Sequence, residues 1–269
     1  MITIRHTQTG AVVAEIEGES LRGANLAGYA LIGANLAEQD LSGANLQGAN
    51  LCWADLTSTN LSGANLEGAD LSATNAKGCC LAGVKADTAR FLGADLQGAD
   101  LRGASLRRTL WEFATLSGAN AESVQFQFAD FTEVMLEGAC LTGADFGGSR
   151  FVRVKGMLAN FRFADMAQTL VRDSDFTSAD FTGADLTLTN LHRTIVRDAN
   201  LSETLLLNTA FLQCEDLHLA VGLEEVSVNS RVLLDVVTLR ANYAALPLAF
   251  CKRLGISSEE EVVFRSLYS

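Results

Sequence analysis

Residues 41–70 read LSGANLQGANLCWADLTSTNLSGANLEGAD. An apolar residue returns at every fifth place: Leu41, Leu46, Leu51, Leu56, Leu61 and Leu66. Working outward, the same beat runs unbroken from Leu21 to Phe211, and 31 of its 39 positions are Leu or Phe. The exceptions are Ala76, Ala86, Trp111, Ala121, Gly156, Met166, Val171 and Val196. With the beat residue as i, position i−2 is nearly always small, with Tyr29 and Gln39 the visible departures. Position i−1 is Asn or Asp in more than half the units, and 17 of the 23 glycines fall at i+2. Self-similarity at a fixed period marks a solenoid.

Period five suits neither ordinary element. A helix would spread these residues around its circumference, and a strand would throw successive ones onto opposite faces. A chain that turns about 90° every five residues points each i residue inward, and four units close a square. The i−2 residue then also points inward, where room is short, so it is small. Glycine at i+2 suits the positive-φ site of a type II turn. Coils stacked at roughly 4.8 Å pair like parallel strands, and nearly ten of them predict a rod on the order of 45 Å long. Glycine is frequent at i+2 up to Gly148 and then occurs only at Gly183, which predicts a change of turn near residue 150. Nine of the 14 phenylalanines lie between Phe126 and Phe181, which predicts rings stacked along the axis.

Units such as Ala44-Asn45-Leu46-Gln47-Gly48 and Ala94-Asp95-Leu96-Gln97-Gly98 resemble the A(D/N)LxX pattern of the pentapeptide-repeat family. The resemblance covers residues 21–211 and implies an all-β solenoid, the right-handed quadrilateral β-helix of that family. The expected organisation is an N-terminal β-hairpin cap at 1–18, the β-helix at 19–214 and a C-terminal helical cap or dimerisation tail at 215–269.

In the first segment Ile2-Thr3-Ile4 alternates, Thr9-Gly10 reads as a turn and 11–16 as a returning strand. In the last, 231–243 reads as a helix, with Val232, Val236 and Leu239 facing the rod. Pro247 breaks the chain, and Ser258 with Glu261 reads as a capping box. Leu246-Pro247, Phe250 and Leu254-Gly255-Ile256 resemble a segment that follows the repeats in some larger bacterial proteins. Leu233, Val237, Val262, Val263, Leu267 and Tyr268 remain for a two-fold dimer; a monomer with its tail folded on itself is the alternative.

No 18-residue apolar run and no basic-then-apolar leader is present, so neither a membrane span nor a signal peptide is expected. The six cysteines lack CxxC or secreted-framework spacing, and Cys79 and Cys214 read as fillers at inward positions. A reducing, cytoplasmic compartment follows as the expectation.

Residues twenty apart share a face. Face 1, through Leu31, Leu51 and Leu71, sets Ile32, Trp53, Leu92 and Phe113 at outward positions, with Arg90, Arg150, Arg153, Arg172, His192 and Arg193 among five acids. Trp53, Leu92, Phe113, Arg150, Arg153, Arg172 and Arg193 form the candidate partner face, unless a cap folds over it. Face 2, through Leu36 and Leu56, offers an acidic candidate: Glu38, Asp55, Asp95, Glu137, Asp175 and Asp198. Faces 3 and 4, through Leu41 and Leu46, also carry more acids than bases, and the net charge of −12 opposes direct nucleic-acid binding.

No catalytic, cofactor or metal motif stands out. The Asp and Asn residues at i−1 recur with the repeat, as polar residues required at each corner, and His6, His192 and His218 have no local partners. A solenoid without insertions also has no loops from which to build a pocket. Two functions stand: a non-enzymatic rigid scaffold for an unidentified protein partner, or a DNA mimic resembling the family members that bind type II topoisomerases (DNA gyrase, topoisomerase IV) and protect them from inhibitors.

Overall fold

A computed structural model describes residues 1–228, 231–257, 259–260 and 262–263. Every β-bridge of the coil with both ends between Asn25 and Phe211 joins residues twenty apart, beginning with Asn25–Asn45, Ala30–Asn50 and Asn35–Asp55. The result is a right-handed quadrilateral β-helix.

One unit shows why the period is five. The Leu46 N–H donates to the Asn65 carbonyl one coil on (2.7 Å), and Gly48 N–H to that of Glu67 (2.9 Å). Ala49 N–H closes the turn on the Leu46 carbonyl (2.9 Å), and Asn50 N–H reaches back to Tyr29 (2.9 Å). The fifth donor, Gln47 N–H, is capped by Asn45 Oδ1 at 3.2 Å. Every backbone donor of the unit is thereby satisfied, as a stacked chain requires. The same side-chain cap recurs at Asn50, Asp55, Asn60 and Asp70. Asn and Asp at i−1 are therefore backbone caps in the middle of each face, rather than corner residues as the sequence suggested.

The i+2 corner keeps a positive φ in every unit from Gly23 to Gln213, including 22 non-glycine residues with φ between 50° and 62°. A left-handed residue with a Cβ costs roughly 1 kcal/mol or more; Thr88 is the only β-branched side chain among them. The expected change of turn near residue 150 is thus absent from the corner dihedral. On faces 2 to 4 the closing hydrogen bond also persists, as from Ala159 to Gly156 and from Ala184 to Phe181. Face 1 changes coil after coil, and face 4 only at its last corner, Leu207–Asn208. On face 1 β3 (Asp130–Thr132), β4 (Arg150–Val152), β5 (Leu170–Arg172), β6 (Asn190–His192) and β7 (Ala210–Leu212) pair in parallel, and after β4 the corners become open bends. Val154 N–H, for example, donates to Ser174 Oγ (3.1 Å).

The core is the interior of the square. The i residues from Leu21 to Phe211 are buried, with Ala, Val, Cys, Ser or Thr beside them at i−2. Each buried leucine contributes about 1.5–3 kcal/mol. Hydroxyls at i−2 donate to an i carbonyl of the preceding coil: Thr59 to Leu36, Ser149 to Phe126 and Thr209 to Leu186, each at 2.7 Å. Aromatic rings fill the middle. Phe91 stacks on Trp111 (4.1 Å, 1° between planes) and Phe131 on Phe151 (4.9 Å), while Phe161 stacks on Phe181 (4.9 Å). Neighbouring columns meet edge to face, as at Phe126–Phe131. The stacking expected from the phenylalanine run is present and starts at Phe91, thirty-five residues before Phe126.

At the N-terminus β1 (Ile2–Arg5) and β2 (Val12–Ile16) form an antiparallel hairpin. It docks by Thr7 N–H on the Gly33 carbonyl (2.8 Å) and Asn35 N–H on that of Arg5 (2.7 Å), and it lays Ile4 and Ile16 over the core.

At the other end the five-beat stops at Phe211 but the coil continues with extra residues. Bridge spacing grows to Asn200–Val221, Leu205–Ser227 and then Phe211–Leu234 in β8 (Leu233–Leu234). A 3₁₀ turn, Leu217–Leu219, takes up part of the surplus, and Leu217, Leu223 and Val226 are buried.

The expected long helix is shorter, α1 (Val236–Asn242), capped by Asp235, which accepts from Thr238 N–H at 2.8 Å. Its rod-facing residues are Thr238 and Asn242. Thr238 Oγ1 donates to the Phe211 carbonyl (3.1 Å), and Asn242 Nδ2 to that of Cys214 (2.7 Å). Val236, assigned to that face from sequence, is exposed, while Val232 and Leu239 pack against the core as expected. The end of the coil presents unpaired carbonyls, so polar side chains serve it better than valine. Helix α2 (Leu248–Arg253) follows Pro247. Ser258 and Glu261 lie outside the described residues; a reciprocal capping pair forms one place earlier, between Ser257 and Glu260 (2.9 and 3.2 Å).

Candidate protein-interaction face

Trp53 and Phe113 occupy the same corner column of face 1, each with φ 62°. The left-handed corner turns the side chain outward, and 71% of Trp53 and 56% of Phe113 is exposed. Neither cap covers them. Ala73 and Gly93 lie between them in the column, so the two aromatic rings flank a low stretch two coils long. Ile32 is 46% exposed beside the hairpin loop, whereas Leu92 is half-buried and serves as floor.

The arginines of this face are largely engaged along the axis. Arg153 pairs with Glu133 one coil above, with Nε at 2.9 Å from the carboxylate. Arg172 and Arg193 both reach Asp173, at 3.2 and 2.5 Å. Arg150 makes no ion pair among the described residues.

The acidic candidates divide in the same way. Asp55, Asp95 and Asp175 cap the N–H groups of Thr57, Gln97 and Thr177, and Asp95 also pairs with Lys77 (3.1 Å). Glu38 and Asp198 stand at left-handed corners, and Glu137 points to solvent. Of the tail candidates, Leu233, Val237, Val262 and Val263 are exposed; Leu267 and Tyr268 lie outside the described residues.

The sequence reading overlooked other outward apolar residues: Met135, Met157, Leu158 and Ile195 on face 2, and Phe128 and Phe163 at corners. Their outward phase was readable. What it could not give is that Phe128 lies on Gly148 and Phe163 on Gly183, each ring filling the space an added Cβ would need.

Titratable groups behave as structural parts. Arg102, hydrogen-bonded to Asp100 at 2.9 and 2.7 Å, holds that carboxyl below its usual range, and Arg193 does the same for Asp173. Burial pushes the Cys79 thiol up to about 12 and Cys214 to about 11, far from the range of a reactive thiolate. Among the described residues no group of three His, Cys, Asp or Glu could hold a metal, and no helix is long and apolar enough to cross a membrane. An open depression of about 780 Å³ is bordered by Arg22, Asp40, Ser42 and Asn60 with glycines.

Stacked five-residue units with one bridge per coil on each face define a quadrilateral solenoid, and the comparisons give the family. The profile described as Pentapeptide repeats matches residues 20–57, 53–85, 73–108, 112–148 and 157–193, in eight copies. The chain belongs to the pentapeptide-repeat family. Among solved structures it is similar to HetL, a pentapeptide repeat protein involved in heterocyst differentiation regulation from the cyanobacterium Nostoc sp. strain PCC 7120. They are 29% identical over 71% of this chain and 88% of that one, with a TM-score of 0.33. It is also similar to full-length QnrB1, a plasmid-mediated fluoroquinolone resistance protein, at 17% identity over 73% and 100% of the two chains, with a TM-score of 0.52. No curated protein sequence matches the chain.

Proposed function

We propose that this chain is a non-enzymatic bacterial protein-interaction scaffold, a rigid rod that presents face 1 to a protein partner. The observation that carries it is the single column holding Trp53 and Phe113, large apolar side chains left in solvent over low neighbours. Scattered exposed apolar residues are ordinary; two aromatics in one column of a rigid surface form an anchor pair. Cross-linking in the native host, with the wild type beside Trp53→Asp and Phe113→Asp, tests it. Partners released by both substitutions while the thermal midpoint stays unchanged are expected; an identical cross-linked set in all three sinks the reading.

A second reading is DNA mimicry toward a type II topoisomerase. It is favoured by the net charge of −12, by the acid excess on faces 2 to 4 including Glu38, Asp55, Asp95, Glu137, Asp175 and Asp198, and by the fold shared with QnrB1. Titrating the protein into a gyrase supercoiling assay with ciprofloxacin tests it: restored supercoiling supports mimicry, and no effect at saturating protein removes it. The exposed Leu233, Val237, Val262 and Val263 support a C-terminal homodimer. Sedimentation of the full chain and of Val237→Asp is the check: a concentration-dependent dimer weakened by the substitution is expected, and a monomer at tens of micromolar rejects it.

A further inference from the structure

Below Phe113 the same face changes chemistry. Arg150, Arg153, Arg172 and Arg193 stand on three successive coils, on the strands β4 to β6 and their corners. Against these four stand three carboxylates, Asp130, Glu133 and Asp173, which leaves a surplus of one positive charge. Asp173 is shared by two guanidiniums. Asp130, one coil above Arg150 in its column, accepts instead from the N–H and hydroxyl of Thr132 (3.0 and 2.5 Å). In a chain of net charge −12, this is a cationic island.

Beside it lies a shallow depression of about 330 Å³ bordered by Leu170, Arg172, Asn190 and His192. Asn190 Oδ1 and His192 Nδ1 are buried there without a hydrogen-bond partner, although most i−1 side chains cap a backbone N–H. Leu170 is 40% exposed. An occupant would therefore bring negative charge for the arginines, an N–H donor for Asn190 Oδ1 and an apolar group for Leu170. Inorganic anions lack the last two. An extended polypeptide with acidic side chains has all three.

We propose that the lower half of face 1 is a docking strip for an acidic extended segment of a protein partner, with Arg150, Arg172 and Asn190 as its principal contacts. The inference rests on the scaffold reading and gives that partner its chemistry: apolar anchors toward Trp53 and Phe113, then carboxylates toward the strands.

Fluorescence anisotropy of the full chain with a short fluorescein-labelled oligo-glutamate peptide tests it, with oligo-lysine, duplex DNA and inorganic phosphate as competing probes. Saturable binding that weakens with added salt is expected. It should fall by roughly tenfold or more in Arg150→Glu/Arg172→Glu, fall less in Arg150→Gln, and persist in Trp53→Asp. Absence of saturable binding, indifference to charge reversal, or equal competition by phosphate or duplex DNA overturns the assignment. Such a failure alongside Trp53-dependent cross-links refutes the strip alone. Glutamate-peptide binding without any Trp53-dependent partner refutes the anchor reading and leaves the cationic strip standing.

Discussion

Between Leu21 and Leu81 the interior columns are mostly leucine and alanine; from Phe91 to Phe181 nine of the nineteen i positions carry rings. The backbone period is twenty residues per coil in both regions. The difference teaches that the repeat fixes the perimeter of the square, and so the volume inside it, while the side chains must share that volume between successive coils. In the leucine region every inward i position but Ala76 holds a leucine. In the aromatic region layers borrow from each other: Gly156 leaves an inward position empty, and the Phe176 ring from the next coil occupies it, 2.5 Å from where a Cβ would stand. Interiors tolerate such exchange only when total volume is conserved.

The comparison is broken most severely by charge. Leu96→Asp places a carboxylate at a fully buried site with no partner and should cost more than about 4 kcal/mol, enough to lose the folded signal in thermal unfolding. A midpoint unchanged by it would mean the inward phase is wrong. A smaller and regional effect comes from Gly156→Val, which forces a side chain into the Phe176 ring and should cost about 1–3 kcal/mol. Adding Phe176→Leu should recover part of that loss in a double-mutant cycle; strictly additive losses would show that the two layers do not share volume.

Acid tests the ladders outside the core. The carboxyls of Asp40, Asp100 and Asp173 are held low, the first by hydrogen bonds from Ser42 and the others by Arg102 and Arg193. Folded values below the unfolded ones mean the stabilisation is complete above the unfolded carboxylate range, near 4, and disappears as the pH falls through the folded values. Thermal midpoints should therefore be flat from neutral pH to about 5 and decline below about 4; a midpoint rising on acidification would contradict the assignment. Smallest is Thr88→Gly, which relieves a β-branched residue at φ 62°. It should raise stability by up to about 1 kcal/mol, seen as a modest upward shift of the denaturant midpoint; the same substitution at Ala27, outside a left-handed corner, should lower it.

Much of this was legible in the chain. Leu21 to Phe211 gave the coil and its inward columns because only a square turn buries every fifth residue. Trp53 and Phe113 were placed outward by the same arithmetic. Leu92 is half-buried rather than prominent, since phase gives direction and not depth. Val236 was misjudged because the end of the coil presents carbonyls, which Thr238 and Asn242 satisfy and a valine does not. Likewise, the loss of glycine after Gly148 implied a new turn, yet Leu158, Phe163 and Gln168 take the left-handed corner all the same: the stacked ladder imposes the dihedral and offsets its strain.

By itself the sequence determined the perimeter, the handed corner of the glycine-bearing units and which side chains enter the core, since all three follow from spacing within five residues. Only the tertiary structure decided that Asn and Asp cap the fifth backbone donor, that Phe176 completes Gly156, and that Arg172 and Arg193 share Asp173. It also decided that the coil runs on through Val221 and Leu234 with extra residues. Those outcomes depend mostly on groups about twenty positions apart, which the chain brings to neighbouring rungs roughly 4.8 Å apart only once the coils have stacked.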